Sequence, residues 1–193
     1  KSKRPLPAGR LTPMNALWFG LITGTIATWM LAHFGSMLAA GIGVFTIVFY
    51  VGIYTMWLKR RTPYNIVIGG AAGATAPLIG WAAANGELSL VAWILFAVIF
   101  FWTPAHFWAL ALCVKNEYAK ADVPMLPVVA GEETTRRQIL LYTLITVPLA
   151  FAPFFLKNSG WLYLGFAVLL GGIFIRKAVD VVRHKHEKSY WRM

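Results

Sequence analysis

The sequence predicts an all-α, polytopic transmembrane helical bundle, and three observations carry that prediction. Of its 193 residues, 59% are apolar and only 13% charged, where an ordinary soluble domain carries about a quarter charged residues. The apolar residues fall in six long blocks, each near the ~20 residues that a helix needs to cross a hydrocarbon core about 30 Å thick. None of the blocks alternates apolar with polar as strands would, and inside a bilayer each peptide group must be bonded within the protein. The single Cys113 excludes a disulfide scaffold. So many large apolar side chains also exclude a disordered chain.

The expected spans, in order, are Asn15–Ala32, Met37–Leu58, Asn65–Ala84, Leu90–Val114, Gln138–Leu156 and Trp161–Ile175. Short polar turns separate them where Gly35-Ser36, Asn85-Gly86-Glu87 and Lys157-Asn158-Ser159-Gly160 stand. Trp18, Trp57, Trp81, Trp93, Trp102 and Trp161 mostly fall toward span ends, where indole rings favour the membrane interface. Gly20-x-x-x-Gly24 and Gly69-x-x-x-Gly73 read as helix-packing motifs. The run Gly69-Gly70-Ala71-Ala72-Gly73 is no nucleotide loop, since no strand precedes it and no Lys-Ser/Thr follows. Thr135-x-x-Gln138 reads as a capping box opening the fifth span. The basic, amphipathic segment Arg176–Met193 is expected to lie on the membrane surface.

Charge then orients the bundle. The net charge is +11, with 18 Lys and Arg against seven acids. If six helices alternate in direction, one set of loops comprises the N-terminal segment, Lys59–Tyr64, Lys115–Arg137 and the tail from Arg176. That set holds 17 of the 18 basic residues and six of the seven acids. The positive-inside rule places it in the cytoplasm, or its topological equivalent. Basic residues between apolar blocks are membrane anchors rather than a stripe on a soluble face, so nucleic acid is excluded as a partner. The polar chemistry is expected on the basic side.

Four polar features remain. The basic segment Lys1–Arg10, stiffened by Pro5 and Pro7, reads either as a topology anchor or as an anion-capturing arm in which Lys3 and Arg4 neutralise a phosphate. In Tyr54–Asn65, three consecutive cations, Lys59, Arg60 and Arg61, end one span, and Asn65 opens the next. The charges suit a stop-transfer signal, and Asn65 suits an N-cap. In Phe101–Trp108, Pro104 favours a kink that can open a cavity. His106 there reads either as a hydrogen-bonded structural residue or as a ligand or proton relay within a span. The loop Lys115–Pro127 sets Glu117 and Asp122 beside Asn116, Tyr118 and Lys120, a set that could hold Mg²⁺ and a diphosphate. These two carboxylates are five residues apart, about 140° around an ideal helix. Glu117 and Lys120 could equally form a solvated surface pair.

Taken in order, the motifs identify a resemblance. They are Arg4-Pro5-Leu6-Pro7-Ala8-Gly9; Tyr54-Thr55 with Leu58-Lys59-Arg60; Thr62-Pro63-x-Asn65-Ile66-Val67-Ile68-Gly69-Gly70; and Ala72-Gly73-Ala74 with Pro77-x-x-Gly80-Trp81. They continue with Trp102-Thr103-Pro104-x-His106-Phe107-Trp108 and with Glu117-Tyr118 followed by Pro124-Met125-Leu126-Pro127-Val128. The chain resembles the UbiA-type intramembrane prenyltransferases from residue 1 to about residue 180. The His-Phe-Trp and Pro-Met-Leu-Pro strings favour the haem branch, the protohaem IX farnesyltransferases or haem O synthases, over the quinone branch. Each string alone is weak, whereas the ordered set is specific.

The resemblance implies a partial UbiA-type transmembrane domain over residues 1–180, with residues 181–193 as a basic tail leading to a further helix. It implies two helices and an Asp-rich motif upstream of Lys1, and a last helix beyond Met193. The chain begins at Lys1, within a charged loop and with no signal peptide before it, and a longer protein is expected, the 193-residue piece alone being inactive. The implied reaction moves the farnesyl group of farnesyl diphosphate to a vinyl group of haem b, giving haem O for terminal oxidases. Mg²⁺ is the implied cofactor, with haem b a substrate. Lys3, Arg4, Tyr54, Lys59, Arg60, Asn65, Asn116, Tyr118 and Lys120 would face the diphosphate. Glu117 and Asp122 would hold metal and, with Lys59, act in catalysis, while Trp102 and His106 would lie on the haem side. Ala76 and Ala105 stand where the haem branch usually has Pro. Other implied partners are the lipid bilayer and haem A synthase or the oxidase assembly machinery, in a bacterial inner membrane, or a mitochondrial one if the source is eukaryotic. Two alternatives stay open: a prenyltransferase for an aromatic quinone precursor, and a non-enzymatic membrane carrier or assembly subunit.

Overall fold

A computed structural model describes residues 5–184. Its elements are α1 (Pro13–Met30), α2 (Met37–Val48), α3 (Asn65–Ala74), α4 (Ala76–Asn85), α5 (Leu90–Cys113), α6 (Lys115–Lys120), α7 (Leu126–Val129), α8 (Gly131–Phe155) and α9 (Trp161–His184). Two helices continue in wider π winding, α1 through Leu31–Gly35 and α2 through Phe49–Leu58. Among the described residues all regular structure is helical, and six spans are long and apolar enough to cross a membrane.

Local chemistry sets the helix starts. Thr12 accepts the Asn15 N–H at 3.2 Å and Pro13 occupies the first turn of α1, where a missing N–H costs nothing. Ser36 accepts the Ala39 N–H at 3.0 Å, and its own hydroxyl donates to the Ala82 carbonyl at 2.7 Å, so one side chain caps α2 and ties it to α4. Ser89 caps α5 in the same way through the Ala92 N–H. Gly86 closes α4 at φ 74, the left-handed region where glycine carries no steric penalty.

Packing is most extensive between α5 and α8, α8 and α9, and α3 and α5. Ala105, Trp108, Ala109 and Leu112 of α5 meet Leu126 of α7, Ile139 of α8, and Ala178 and Val181 of α9 in one buried cluster. It lies toward the end of the bundle from which the Lys115–Val129 segment springs, and so anchors the segment carrying α6. Gly70 takes part in the α3–α5 contact: a Cβ there would stand 2.9 Å from the Thr103 methyl.

Several expectations are corrected. The fifth span begins at Gly131, not Gln138. Thr135 is therefore no cap; fully buried, it donates back to the Gly131 carbonyl at 2.8 Å, and the pairs Glu132–Arg136 and Glu133–Arg137 support the added turns. The third span is broken at Thr75, whose hydroxyl bonds the Ala72 carbonyl at 2.7 Å just ahead of Pro77. Helix α9 runs past Ile175 to His184 with Ala178 and Val181 fully buried, so its first charged turns belong to the bundle rather than to a surface tail. The remainder of that tail lies outside the described residues. Of the two small-residue motifs, Gly69 and Gly70 are close-packed while Gly73 and Gly20 meet nothing within 4 Å, and Gly24 touches only Ile47 at 3.9 Å.

Candidate functional site

The polar residues of one membrane face converge on a cavity of about 730 Å³. Its wall comes from three places: Tyr54, Thr55, Met56, Lys59 and Arg60 where the π segment ends, Ile66 and Phe107 from α3 and α5, and Val114 to Met125 around α6. The ends of the second and fourth spans and the start of the third thus meet at one face, as an alternating topology requires.

The π winding decides what faces the cavity. In an α-helix, residues five apart diverge by about 140°. Here the Lys59 N–H donates to the Tyr54 carbonyl at 2.9 Å, five residues back, and the Thr55 hydroxyl donates to the Tyr50 carbonyl at 2.8 Å, again five back. Bonds of that span stack residues i and i+5, and such segments recur at functional sites. Tyr54 and Lys59 accordingly line the same cavity. The Tyr54 ring lies against Tyr50, centroids 5.1 Å apart, and over Gly69, where a Cβ would stand 2.5 Å from the ring. Only glycine leaves room for the ring at that point.

The lining sets two cations, Lys59 and Arg60, against one carboxylate, Glu117. Lys59 and Arg60 are exposed at the cavity and have no ion-pair partner among the described residues. Lys115 is engaged elsewhere, at 3.4 Å from Glu132, which also binds the buried Arg136 and so ties the start of α6 to α8. Glu117 and Tyr118 face the cations from α6, while Met56, Ile66, Phe107 and Met125 make the rest of the wall apolar. The site can hold a compact anion at one end and a hydrocarbon beside it.

Other expected site residues lie elsewhere. Asp122 follows α6 at φ 51, is exposed, and does not line the cavity, so the structure gives Glu117 and Asp122 no common site. Asn116 and Lys120 are exposed on α6 outside the lining, and Lys3 and Arg4 lie outside the described residues. Asn65 is fully buried, lies outside the lining and is bonded to the Lys59–Thr62 turn; it makes no side-chain cap on α3, which corrects its reading as an N-cap. No cluster of three metal-ligating side chains occurs among the described residues. The rings of Trp102 and His106 stack at 4.6 Å and 13°. His106 is half-buried beside Phe107, and Trp102 lines a second, apolar cavity of about 450 Å³ between α5, α8 and α9. Thr55, Ile66, Phe107 and Met125 went unassigned by sequence reasoning, although each falls within or beside a matched motif.

Comparisons with known proteins place the chain in a family. Protoheme IX farnesyltransferase of Synechococcus sp. (strain JA-3-3Ab) is 53% identical over 187 residues, 96% of this chain and 56% of that protein. The enzyme of the same name from Azorhizobium caulinodans is 52% identical over 183 residues, 95% of this chain and 60% of that protein. The chain therefore spans little more than half the length of the curated relatives it matches. A solved structure, described as digeranylgeranylglyceryl phosphate synthase in membranes, superposes with a TM-score of 0.81 over 100% of this chain and 67% of that one, at 20% identity. It shares the fold. The UbiA prenyltransferase family matches residues 1–193, and the chain, a multi-pass helical membrane protein, belongs to that family.

Proposed function

We propose that the chain forms the diphosphate-binding part of an enzyme that transfers the farnesyl group of farnesyl diphosphate to a vinyl group of haem b, giving haem O. The observation that carries the reading is the amphiphilic cavity, with Lys59 and Arg60 at one end and Ile66, Phe107 and Met125 beside them. The half-length match to relatives named protoheme IX farnesyltransferase supports the choice of substrates.

In this reading Lys59, Arg60 and the Tyr54 and Tyr118 hydroxyls receive the diphosphate through charge-assisted hydrogen bonds. They stabilise the negative charge that grows as the allylic C–O bond breaks. The apolar wall keeps water from the electron-poor farnesyl carbon until the vinyl carbon attacks it, with diphosphate as the leaving group. The cation then left on the vinyl carbon beside the porphyrin takes up water and releases a proton, which gives the hydroxyl group of haem O. Glu117, the single carboxylate in the lining, suits a Mg²⁺ held in the usual way, by one or two carboxylates and substrate phosphates. That ion would supply further neutralisation of the leaving group. Lys3 and Arg4 would complete the anion site, and Asn116, Lys120 and Asp122 would act from its rim. By the positive-inside rule the site opens to the cytoplasm of a bacterial cell, or to the equivalent side of a mitochondrial inner membrane.

The stacked Trp102–His106 pair offers a flat, half-exposed face one residue from the Phe107 cavity wall, which suits a porphyrin rather than a diphosphate. Binding of a non-hydrolysable farnesyl diphosphate analogue and of haem b, measured separately on the complete gene product, tests the division. The wild type should bind both. His106→Ala should lose about tenfold in haem b affinity, the worth of one good contact, and hold analogue binding nearly unchanged. Loss of the analogue with haem b binding retained would move His106 to the diphosphate side. A wild type that binds an aromatic quinone precursor and not haem b would overturn the haem reading.

A further inference from the structure

Lys59 reaches the cavity from a turn, Lys59–Tyr64, that joins the π segment to α3, and a lysine on a loose turn would place its charge poorly. The peptide of Lys59 is instead held on both sides. Its N–H donates to the Tyr54 carbonyl at 2.9 Å, and its carbonyl accepts from Asn65 Nδ2 at 3.4 Å. The same Nδ2 donates to the Thr62 carbonyl at 2.7 Å. Asn65 is 0% exposed and absent from the cavity wall.

The direction of its amide is forced. Both neighbours are carbonyl oxygens, so the nitrogen must face them. Asn65 Oδ1 is thereby left buried without a partner. The side chain also makes no cap on α3, where it is the first residue. A residue kept only to start a helix would turn its oxygen to the free N–H groups. Asn65 does the opposite and spends both donors on the preceding turn.

We infer that Asn65 is a positioning residue, which fixes the backbone of the Lys59–Thr62 turn so that the Lys59 ammonium is presented to an anionic, diphosphate-bearing substrate. The inference rests on the diphosphate reading above and replaces direct contact by Asn65 with action through Lys59. Threonine, aspartate and alanine at position 65 all lack the two amide hydrogens. Aspartate, of the same shape, sets carboxylate oxygens against two carbonyls.

A double-mutant cycle tests this. Affinity for a non-hydrolysable farnesyl diphosphate analogue is measured on the complete gene product for the wild type, Asn65→Ala, Asn65→Asp, Lys59→Ala and Lys59→Ala/Asn65→Ala, with haem b affinity followed on each as a report of the fold. Asn65→Ala is expected to weaken the analogue about fivefold, Asn65→Asp more, both with haem b binding retained. In the Lys59→Ala background the loss should shrink below about twofold, because residues acting as a unit are not additive. Full additivity overturns the proposal and returns Asn65 to an independent role. Equal loss of analogue and haem b binding marks a general structural role and also overturns it. Unchanged analogue binding by Lys59→Ala alone overturns the diphosphate reading itself, and the proposal with it.

Discussion

Lys59→Ala in the complete gene product is expected to lower kcat/KM for farnesyl diphosphate by roughly 10- to 100-fold. The estimate follows from one charge-assisted hydrogen bond, worth about 1.5–3 kcal/mol, at tenfold per about 1.4 kcal/mol. Lys59 is the cavity-lining cation that the π winding sets on the Tyr54 face, and it has no ion-pair partner among the described residues to absorb its loss. Arg60, also in the lining, keeps part of the anion site and limits the damage. Lys59→Arg should recover part of the rate, since the charge returns on a differently shaped donor. Steady-state kinetics with farnesyl diphosphate varied at fixed haem b measures the effect. A Lys59→Ala enzyme with wild-type kcat/KM would remove the basic end of the cavity from the reaction.

Gly69→Ala is expected to be nearly as damaging as loss of the Tyr54 side chain, although it adds one methyl group and no charge. That methyl would stand 2.5 Å from two carbons of the Tyr54 ring. The ring also lies against Tyr50, one turn earlier on its own helix. It must leave its seat, and the cavity lining changes with it. Overpacking of this kind costs about 1–3 kcal/mol, so a lower thermal midpoint should accompany an analogue affinity reduced by about tenfold. In a Tyr54→Ala background the added methyl has empty space before it and Gly69→Ala should be nearly silent. Affinity and thermal midpoint of the two single variants and the double check this. A Gly69→Ala protein unchanged in both would mean that the ring does not occupy that seat.

The membrane architecture was legible in the sequence because the bilayer imposes it. Length, apolar blocks and the placement of Lys and Arg follow from solvation alone, and five of the six expected span starts fall within two residues of the observed ones. The error at Gln138 has a specific cause. Glu132, Glu133, Arg136 and Arg137 read as a charged loop, whereas i,i+4 pairing lets them form the first turns of α8. Arg176 and Lys177 misled the reading of α9 similarly, since Ala178 and Val181 carry that face into the core.

Within the site, the residue types of Tyr54, Lys59, Arg60, Glu117 and Tyr118 were legible from charge and from the resemblance, and all five line the cavity. Their phase was not. A helical reading at 100° per residue sends Tyr54 and Lys59 to different faces, and nothing in the composition announces i→i−5 bonding. The position of Asp122 was equally hidden, because a left-handed residue after a six-residue helix leaves no periodic trace. Asn65 shows the converse: an amide at a helix start suggested a cap or a ligand, and only the paired carbonyls of Lys59 and Thr62 reveal that it bonds backward.

We propose that this bundle is part of an enzyme that joins a farnesyl group to haem b, and the product itself tests that reading. Membranes holding the complete gene product, made in a host without haem O synthesis, would be given farnesyl diphosphate, haem b and Mg²⁺, and the extracted haems and quinones analysed by mass spectrometry. Haem O is the expected product, abolished when farnesyl diphosphate is omitted and strongly reduced by Lys59→Ala. Haem b recovered unchanged beside a newly prenylated quinone precursor would contradict it.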